Sequence, residues 1–283
     1  MKFSDLSVIR NSSVLVASHR GVTGSNIPSN TLESYALALR QGADIVELDV
    51  TKSLDGELFA FHPYMDFPHL GKIIPLQLRL AKNIKKTKYV NDDFTKTQYG
   101  ISTIDEVFDF LKGKCVINVD KFWSHPRLIA DKLSRHNIRD GVIIKSYYSP
   151  KMLSTLKEVA PDVPFMLMLR ESNKGVEDLL IKSGINFIGE ELIFDSLDNP
   201  LVSDEHMSFL KQNGLYAWGN TIVYNYKDVI SAGKTDDMAI LGAEDDVWGW
   251  FIDKGFDIIQ TDWVSELKKY IKFRSLDVLV FPI

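Results

Sequence analysis

The sequence predicts an α/β fold built around a parallel sheet, and three observations predict it. Short apolar, strand-like runs recur along the chain, and segments of helical periodicity separate them. The chain has 283 residues with 45% hydrophobic content, enough to bury one large core, and its length suits a single (β/α)₈ unit.

Strands are expected near Val14–Ser18, Asp44–Val50, Cys115–Asp120, Val142–Lys145, Pro164–Leu169, Ile185–Gly189, Leu215–Trp218 and Asp257–Gln260. Between them the periodicity predicts helices such as Thr31–Gln41, Thr103–Leu111, Pro126–His136, Pro150–Val159, Val176–Ser183 and Asp204–Asn213. Asn30, Ser102 and Ser149-Pro150 are start signals, through side-chain capping or a proline in the first turn. Strands alternating with helices imply a parallel sheet. Closure of that sheet does not follow from the pattern. Residues 63–100 break the alternation. They carry a basic run (Arg79, Lys82, Lys85, Lys86, Lys88) among Ile73, Ile74, Leu76, Leu78, Leu80 and Ile84. That run reads either as a solvated face or as a cationic patch for anionic substrates or membrane headgroups.

A formal net charge of −5 argues against a nucleic-acid binder. One cysteine, Cys115, excludes an internal disulfide and points to a reducing, cytoplasmic setting. No apolar stretch is long enough for a spanning helix, and Met1 to Asn11 lacks a signal-peptide core, although a chain already trimmed of its signal would read the same. Phosphate loops, dinucleotide-binding glycine patterns, zinc spacings and nucleophile elbows are all missing.

The chemistry concentrates near the start. In Asp44-Ile45-Val46-Glu47-Leu48-Asp49-Val50, strand alternation puts Glu47 and Asp49 on one face and Val46, Leu48 and Val50 on the other. Two neighbouring carboxylates repel unless a cation joins them or one is protonated. A hard divalent ion such as Mg²⁺ or Ca²⁺ suits an all-oxygen site, and an acidic strand face meeting water is the other reading. His19 and Arg20 follow the first strand, with Gly21 suited to a tight turn. His62 closes a short run after the turn Asp55-Gly56. Proton carriers, a cation for the phosphate and acidic metal ligands are what phosphodiester hydrolysis requires. The remaining histidines (His69, His125, His136, His206) lack such neighbours and read as background.

The ordered set His19-Arg20-Gly21, Asn30-Thr31, Gly42 to Val50, Asp55-Gly56, Phe61-His62 and Gly255 to Asp262 resembles the glycerophosphodiester phosphodiesterase family across nearly the whole chain. The resemblance implies a (β/α)₈ TIM barrel with a small insertion after the second strand. The chain would be one domain, residues 1–283, with residues 63–100 lying over the barrel mouth. It implies hydrolysis of small glycerophosphodiesters to glycerol 3-phosphate and an alcohol. His19 and His62 would be the acid–base pair, and Arg20 and Lys121 phosphate contacts. Glu47, Asp49 and Asp120 would be ligands of one Mg²⁺ or Ca²⁺. The partner is then a small-molecule phosphodiester, with no nucleic acid and no membrane span. Active sites of such barrels lie at the C-terminal strand ends, where these residues fall.

Five departures stand out. Asp120 replaces the usual glutamate, and Lys121 follows it directly rather than two residues later, so Lys121 reads either as a phosphate contact or as a surface lysine. Pro28-Ser29-Asn30-Thr31 lacks the family's acid, Val22 to Ile27 is long, and His62 is followed by Pro63. Lys145, Glu171, Glu190, Glu191, Trp218 and Asn220 fall near later strand ends as candidate pocket residues. Two alternatives stay open: cleavage of a lysolipid on the same barrel, or a barrel that binds without turnover.

Overall fold

The computed structural model describes residues 1–10, 13–24, 26–223 and 227–280. Asn11 at the end of the leader segment, Ser25 within 22–27 and the last three residues of the expected 1–283 domain lie outside the described residues. In chain order the strands are β1 (Leu15–Ser18), β2 (Ile45–Lys52), β3 (Leu58–Ala60), β4 (Lys88–Val90), β5 (Lys96–Gly100), β6 (Val116–Asp120), β7 (Val142–Ser146), β8 (Phe165–Leu169), β9 (Phe187–Leu192), β10 (Tyr216–Asn220) and β11 (Ile258–Thr261). β1, β2 and β6 to β11 run parallel in that order, and β1 pairs with both β2 and β11. The sheet therefore closes into the (β/α)₈ barrel that the family resemblance implied.

Closure sorts the alternating side chains into two cores. Val16, Val46, Leu48, Ile117, Val119, Ile144 and Leu167 face outward and pack against the helical layer. Leu15, Ala17, Ile45, Val116, Ile143, Met166, Ile188, Tyr216, Trp218 and Ile258 fill the lower barrel interior. The N-terminal turns Phe3–Arg10 plug that end. Leu6 is fully buried within the interior cluster, and Phe3 packs its ring 5.2 Å from that of Tyr216. Arg10 locks the plug, donating to Asp257 at 2.6 Å and 3.0 Å and to the Leu215 carbonyl at 2.6 Å.

Helices over Leu32–Arg40, Ile104–Leu111, Pro126–Arg135, Pro150–Val159, Lys174–Ile181 and Asp204–Gln212 form most of the outer ring. Their starts use the expected side-chain capping, but the first two caps are Thr31 and Thr103, one residue after the Asn30 and Ser102 that the sequence suggested, and the Asn30 side chain bonds Asp49 instead. Thr31, Thr103, Ser149, Asn173 and Ser203 each accept a backbone N–H of the first turn. The sequence reading missed the helical turns between Asp236 and Lys254 and the final helix, Val264–Val280.

One strand sits later than its apolar pattern suggested. β9 was expected at Ile185–Gly189 and lies at Phe187–Leu192. A bulge at Ile188 breaks its register with β8. Gly189 passes so close to β10 that a Cβ there would meet the Tyr216 carbonyl oxygen at 2.2 Å. The extra residue sends Glu190 outward to the helices and Glu191 inward to the barrel, a pair that conceals the strand from a hydrophobicity pattern.

Residues 63–100 interrupt the βα alternation as expected. β3 folds back antiparallel on the C-terminal end of β2, and β4 and β5 form a hairpin. Phe59, Phe61, Leu70, Leu76, Ile84, Tyr89 and Ile101 give this region a small core of its own. Lys82, Lys85, Lys86 and Lys88 are exposed to solvent. No described helix is long and apolar enough to cross a membrane.

Candidate active site

The upper barrel interior continues the alternation of the lower one, with polar residues replacing apolar ones. Above Ile45 on β2 come Glu47 and Asp49, and above Val116 on β6 come Asn118 and Asp120. Parallel pairing puts Glu47 level with Asn118 and Asp49 level with Asp120. One carboxylate oxygen from each of Glu47, Asp49 and Asp120 lies within 4.8 Å of the others. Glu47 and Asp49 are buried, and Oδ1 of Asp49 accepts no hydrogen bond. A compact all-oxygen set with an unsatisfied buried oxygen fits a divalent cation.

Cations of the chain surround these acids. Arg20 Nε lies 2.8 Å from Asp49 Oδ2. The Arg20 backbone N–H donates to Glu47 at 2.7 Å, from a left-handed turn at φ 57°. Lys121 also takes a left-handed conformation, φ 63°. Strand alternation alone would turn it away from the mouth. The left-handed turn brings Nζ onto the Asp120 carboxylate and to 3.5 Å from Asp49. Lys121 is thus an inward-reaching lysine, its side chain 21% exposed, and not a surface one.

The two acids of β2 are driven apart. Burial favours the neutral acid at both. At Glu47 the Asp49 charge adds to burial, and its pKa rises. At Asp49 the charges of Arg20 and Lys121 outweigh burial, and its pKa falls. Asn30 secures Asp49 further. Its Nδ2 donates to the carboxylate at 3.0 Å, and its Oδ1 accepts the Asp49 backbone N–H at 3.1 Å and the Tyr35 hydroxyl at 3.0 Å.

The two candidate histidines are held differently. His19 Nδ1 lies 2.9 Å from Asp262 at the end of β11. Burial lowers the His19 pKa, but the Asp262 charge and this hydrogen bond more than offset it, and the net shift is upward. Asp262 in turn takes its backbone position from Asp236, whose buried carboxylate accepts the Asp262 N–H at 2.8 Å and the Thr221, Thr261 and Trp248 side chains. His62 is half-buried and donates Nδ1–H to the Pro63 carbonyl at 2.8 Å. Burial, the largest influence on it, lowers its pKa, with Asp49 opposing and Arg20 and Lys121 assisting.

A cavity of about 320 Å³ opens beside this cluster, lined among others by His19, Arg20, Glu47, Asp120 and Lys121. Lys145, Glu191 and Asn220 form part of its wall. Lys145 Nζ lies 3.1 Å from Glu191 and 3.2 Å from the centre of the Trp218 ring, and Asn220 donates to Glu191 at 2.7 Å. Burial lowers the Lys145 pKa despite Glu191. Trp218 is fully buried and packs in the interior cluster. At the rim Arg170 grips Asp228 through two bonds of 2.8 Å. Glu190 faces away, toward His206.

Sequence reasoning gave no role to Asp262, met only as the end of the Gly255 to Asp262 motif, or to Asp236, Arg170 and His69. Asp262 and Arg170 continue the inward alternation of β11 and β8 by one step, a signal that was available. His69, read as background, lines a second recess with His19, Arg20 and Met65, and its pKa is lowered by burial first and by Arg20 next. Only its place in the 63–100 region reveals this.

Comparison with known proteins agrees with the geometry. A family model described only as a domain of unknown function matches residues 165–271. A glycerophosphodiester phosphodiesterase of Bacillus subtilis is 23% identical over 224 residues, 71% of this chain and 74% of that protein. One from Caldanaerobacter subterraneus is 28% identical over 54% of this chain and 66% of its own length. Among solved structures, a glycerophosphoryl diester phosphodiesterase from Parabacteroides distasonis superposes with a TM-score of 0.76 at 18% identity, covering 97% of this chain and 93% of that one. A phosphodiesterase from Oleispira antarctica, solved with its product sn-glycerol 3-phosphate, superposes with a TM-score of 0.65 at 16% identity over 93% and 98%. The chain is therefore a TIM barrel that is similar, in sequence and in structure, to glycerophosphodiester phosphodiesterases.

Proposed function

We propose that the chain is a phosphoric diester hydrolase that converts small glycerophosphodiesters to glycerol 3-phosphate and an alcohol with one Mg²⁺ or Ca²⁺. The observation that carries this reading is the Glu47, Asp49 and Asp120 cluster, its oxygens within 4.8 Å, with Arg20 and Lys121 against it. The named relatives and the product held by the Oleispira protein support the substrate class. On this reading the chain is one barrel domain, and residues 63–100 are an insertion over its mouth. The unpaired, buried Cys115 fits a reducing, cytoplasmic setting.

Held by Glu47, Asp49 and Asp120, the ion would polarise the phosphoryl group and offset its charge. Arg20 is tied to Asp49 through Nε, which leaves its two terminal nitrogens to meet two phosphate oxygens. Lys121 adds a second positive charge from the β6 side. His62 donates Nδ1–H to the Pro63 carbonyl, so in the neutral ring Nε2 carries the lone pair, and burial, which lowers its pKa, favours that neutral form. It is the general base for the attacking hydroxyl, either water or the glycerol hydroxyl of the substrate through a cyclic phosphate. His19, whose pKa Asp262 raises against the effect of burial, is the general acid for the leaving alcohol.

The direct test incubates the purified protein with glycerophosphocholine and glycerophosphoethanolamine plus Mg²⁺ or Ca²⁺ and reads glycerol 3-phosphate through a coupled dehydrogenase. Stoichiometric release is expected. No release from either diester with either ion would refute the reading.

A further inference from the structure

Outside the barrel wall, three buried residues converge from three elements. Glu177 lies on the helix Lys174–Ile181, Glu190 on the outward face of β9 and His206 on the helix Asp204–Gln212. Glu177 and Glu190 have no solvent exposure, and His206 has 5%. One ligand atom from each lies within 4.8 Å of the other two. His206 Nε2 is 2.9 Å from Glu190 Oε2. Both carboxylate oxygens of Glu177, and Oε1 of Glu190, have no hydrogen-bond partner among the described residues.

Two carboxylates buried with three unsatisfied oxygens are unfavourable as they stand. Among the described residues no lysine or arginine pairs with either, and His206 alone balances at most one charge. A divalent cation balances both and gives the orphaned oxygens a partner. Atoms sharing a tetrahedral ion at 2.0–2.2 Å stand roughly 3.3 Å from one another, a spacing that small side-chain adjustments reach from here. One imidazole with carboxylates favours a transition ion over Mg²⁺ or Ca²⁺.

We propose that Glu177, Glu190 and His206 form a second, structural metal site that takes Zn²⁺ and pins two outer helices to β9. It is separate from the barrel mouth, since Glu190 points outward where Glu191 points in, and it does not depend on the proposed activity. Because the cluster is closed to solvent, the ion enters as the chain folds and leaves only when it unfolds.

The test refolds the full chain with excess Zn²⁺, treats the folded protein with EDTA and measures retained zinc. One equivalent per chain should resist EDTA and be released by guanidinium. It should persist in Asp49→Asn and be absent from Glu177→Gln. Its X-ray absorption spectrum should show one imidazole nitrogen among oxygen ligands. Should Glu177→Gln fail to fold, anomalous diffraction from zinc-refolded wild-type crystals decides, with density expected between the three side chains. Absence of an EDTA-resistant equivalent, its survival in folded Glu177→Gln, or no anomalous density there would overturn the proposal.

Discussion

Asp262 meets His19 Nδ1 at 2.9 Å across the seam where the last barrel strand pairs with the first. The contact joins residues 243 positions apart, and barrel closure makes it possible. It sets the His19 ring orientation and holds its pKa above the ordinary 6.5. Asp262→Asn should therefore lower the His19 pKa and shift the alkaline limb of the pH–rate profile to lower pH. The loss in kcat should be roughly 10–100-fold, with KM changing less. An unshifted limb would separate Asp262 from the proton chemistry.

The two histidines predict a bell-shaped kcat/KM profile. His62 has a lowered pKa and must be neutral to act as base, so its protonation sets the acidic limb below pH 6.5. His19 has a raised pKa and must be charged to act as acid, so its deprotonation sets the alkaline limb above pH 6.5. His19→Ala and His62→Ala should each lower kcat about 10²-fold or more and erase one limb. His125→Ala should leave both limbs in place.

Asn30 is fully engaged beneath Asp49, in a left-handed conformation that asparagine tolerates. Asn30→Ala leaves a buried carboxylate and a backbone N–H short of partners and should destabilise the fold by about 1–3 kcal/mol. Urea unfolding would measure this, and a loss below 0.5 kcal/mol, roughly the surface-substitution level, would contradict it.

Gly189 predicts the role of the β9 bulge. Gly189→Ala drives a Cβ into the Tyr216 backbone, forcing β9 and β10 apart. The expected destabilisation is about 1–3 kcal/mol, the range for overpacking, with a fall in kcat because Glu191 and Asn220 lose their pairing. A variant with wild-type Tm and kcat would mean the bulge relaxes freely.

Much of this was legible in the chain. Period-two alternation in Asp44–Val50 assigned Glu47 and Asp49 to one face, and outward Val46, Leu48 and Val50 joined the helical core. The eight strands fell where apolar runs predicted them, except β9, where adjacent Glu190 and Glu191 conceal the strand. Other features depend on three-dimensional neighbours. The left-handed turn that aims Lys121 inward leaves no mark on residue type. His69 and His206 looked unaccompanied because Arg20, which shares a recess with His69, and Glu190, which bonds His206, come near them only in the fold.

The central claim, metal-dependent hydrolysis at the Glu47, Asp49 and Asp120 cluster, is tested most directly by one assay. Glycerol 3-phosphate release from glycerophosphocholine is followed in EDTA-treated protein, then after adding Mg²⁺ or Ca²⁺, for wild type and Asp49→Asn in parallel. The account predicts no turnover in EDTA, recovery on adding the ion to wild type, and no recovery in Asp49→Asn. Full turnover in EDTA, or wild-type recovery in folded Asp49→Asn, would contradict it.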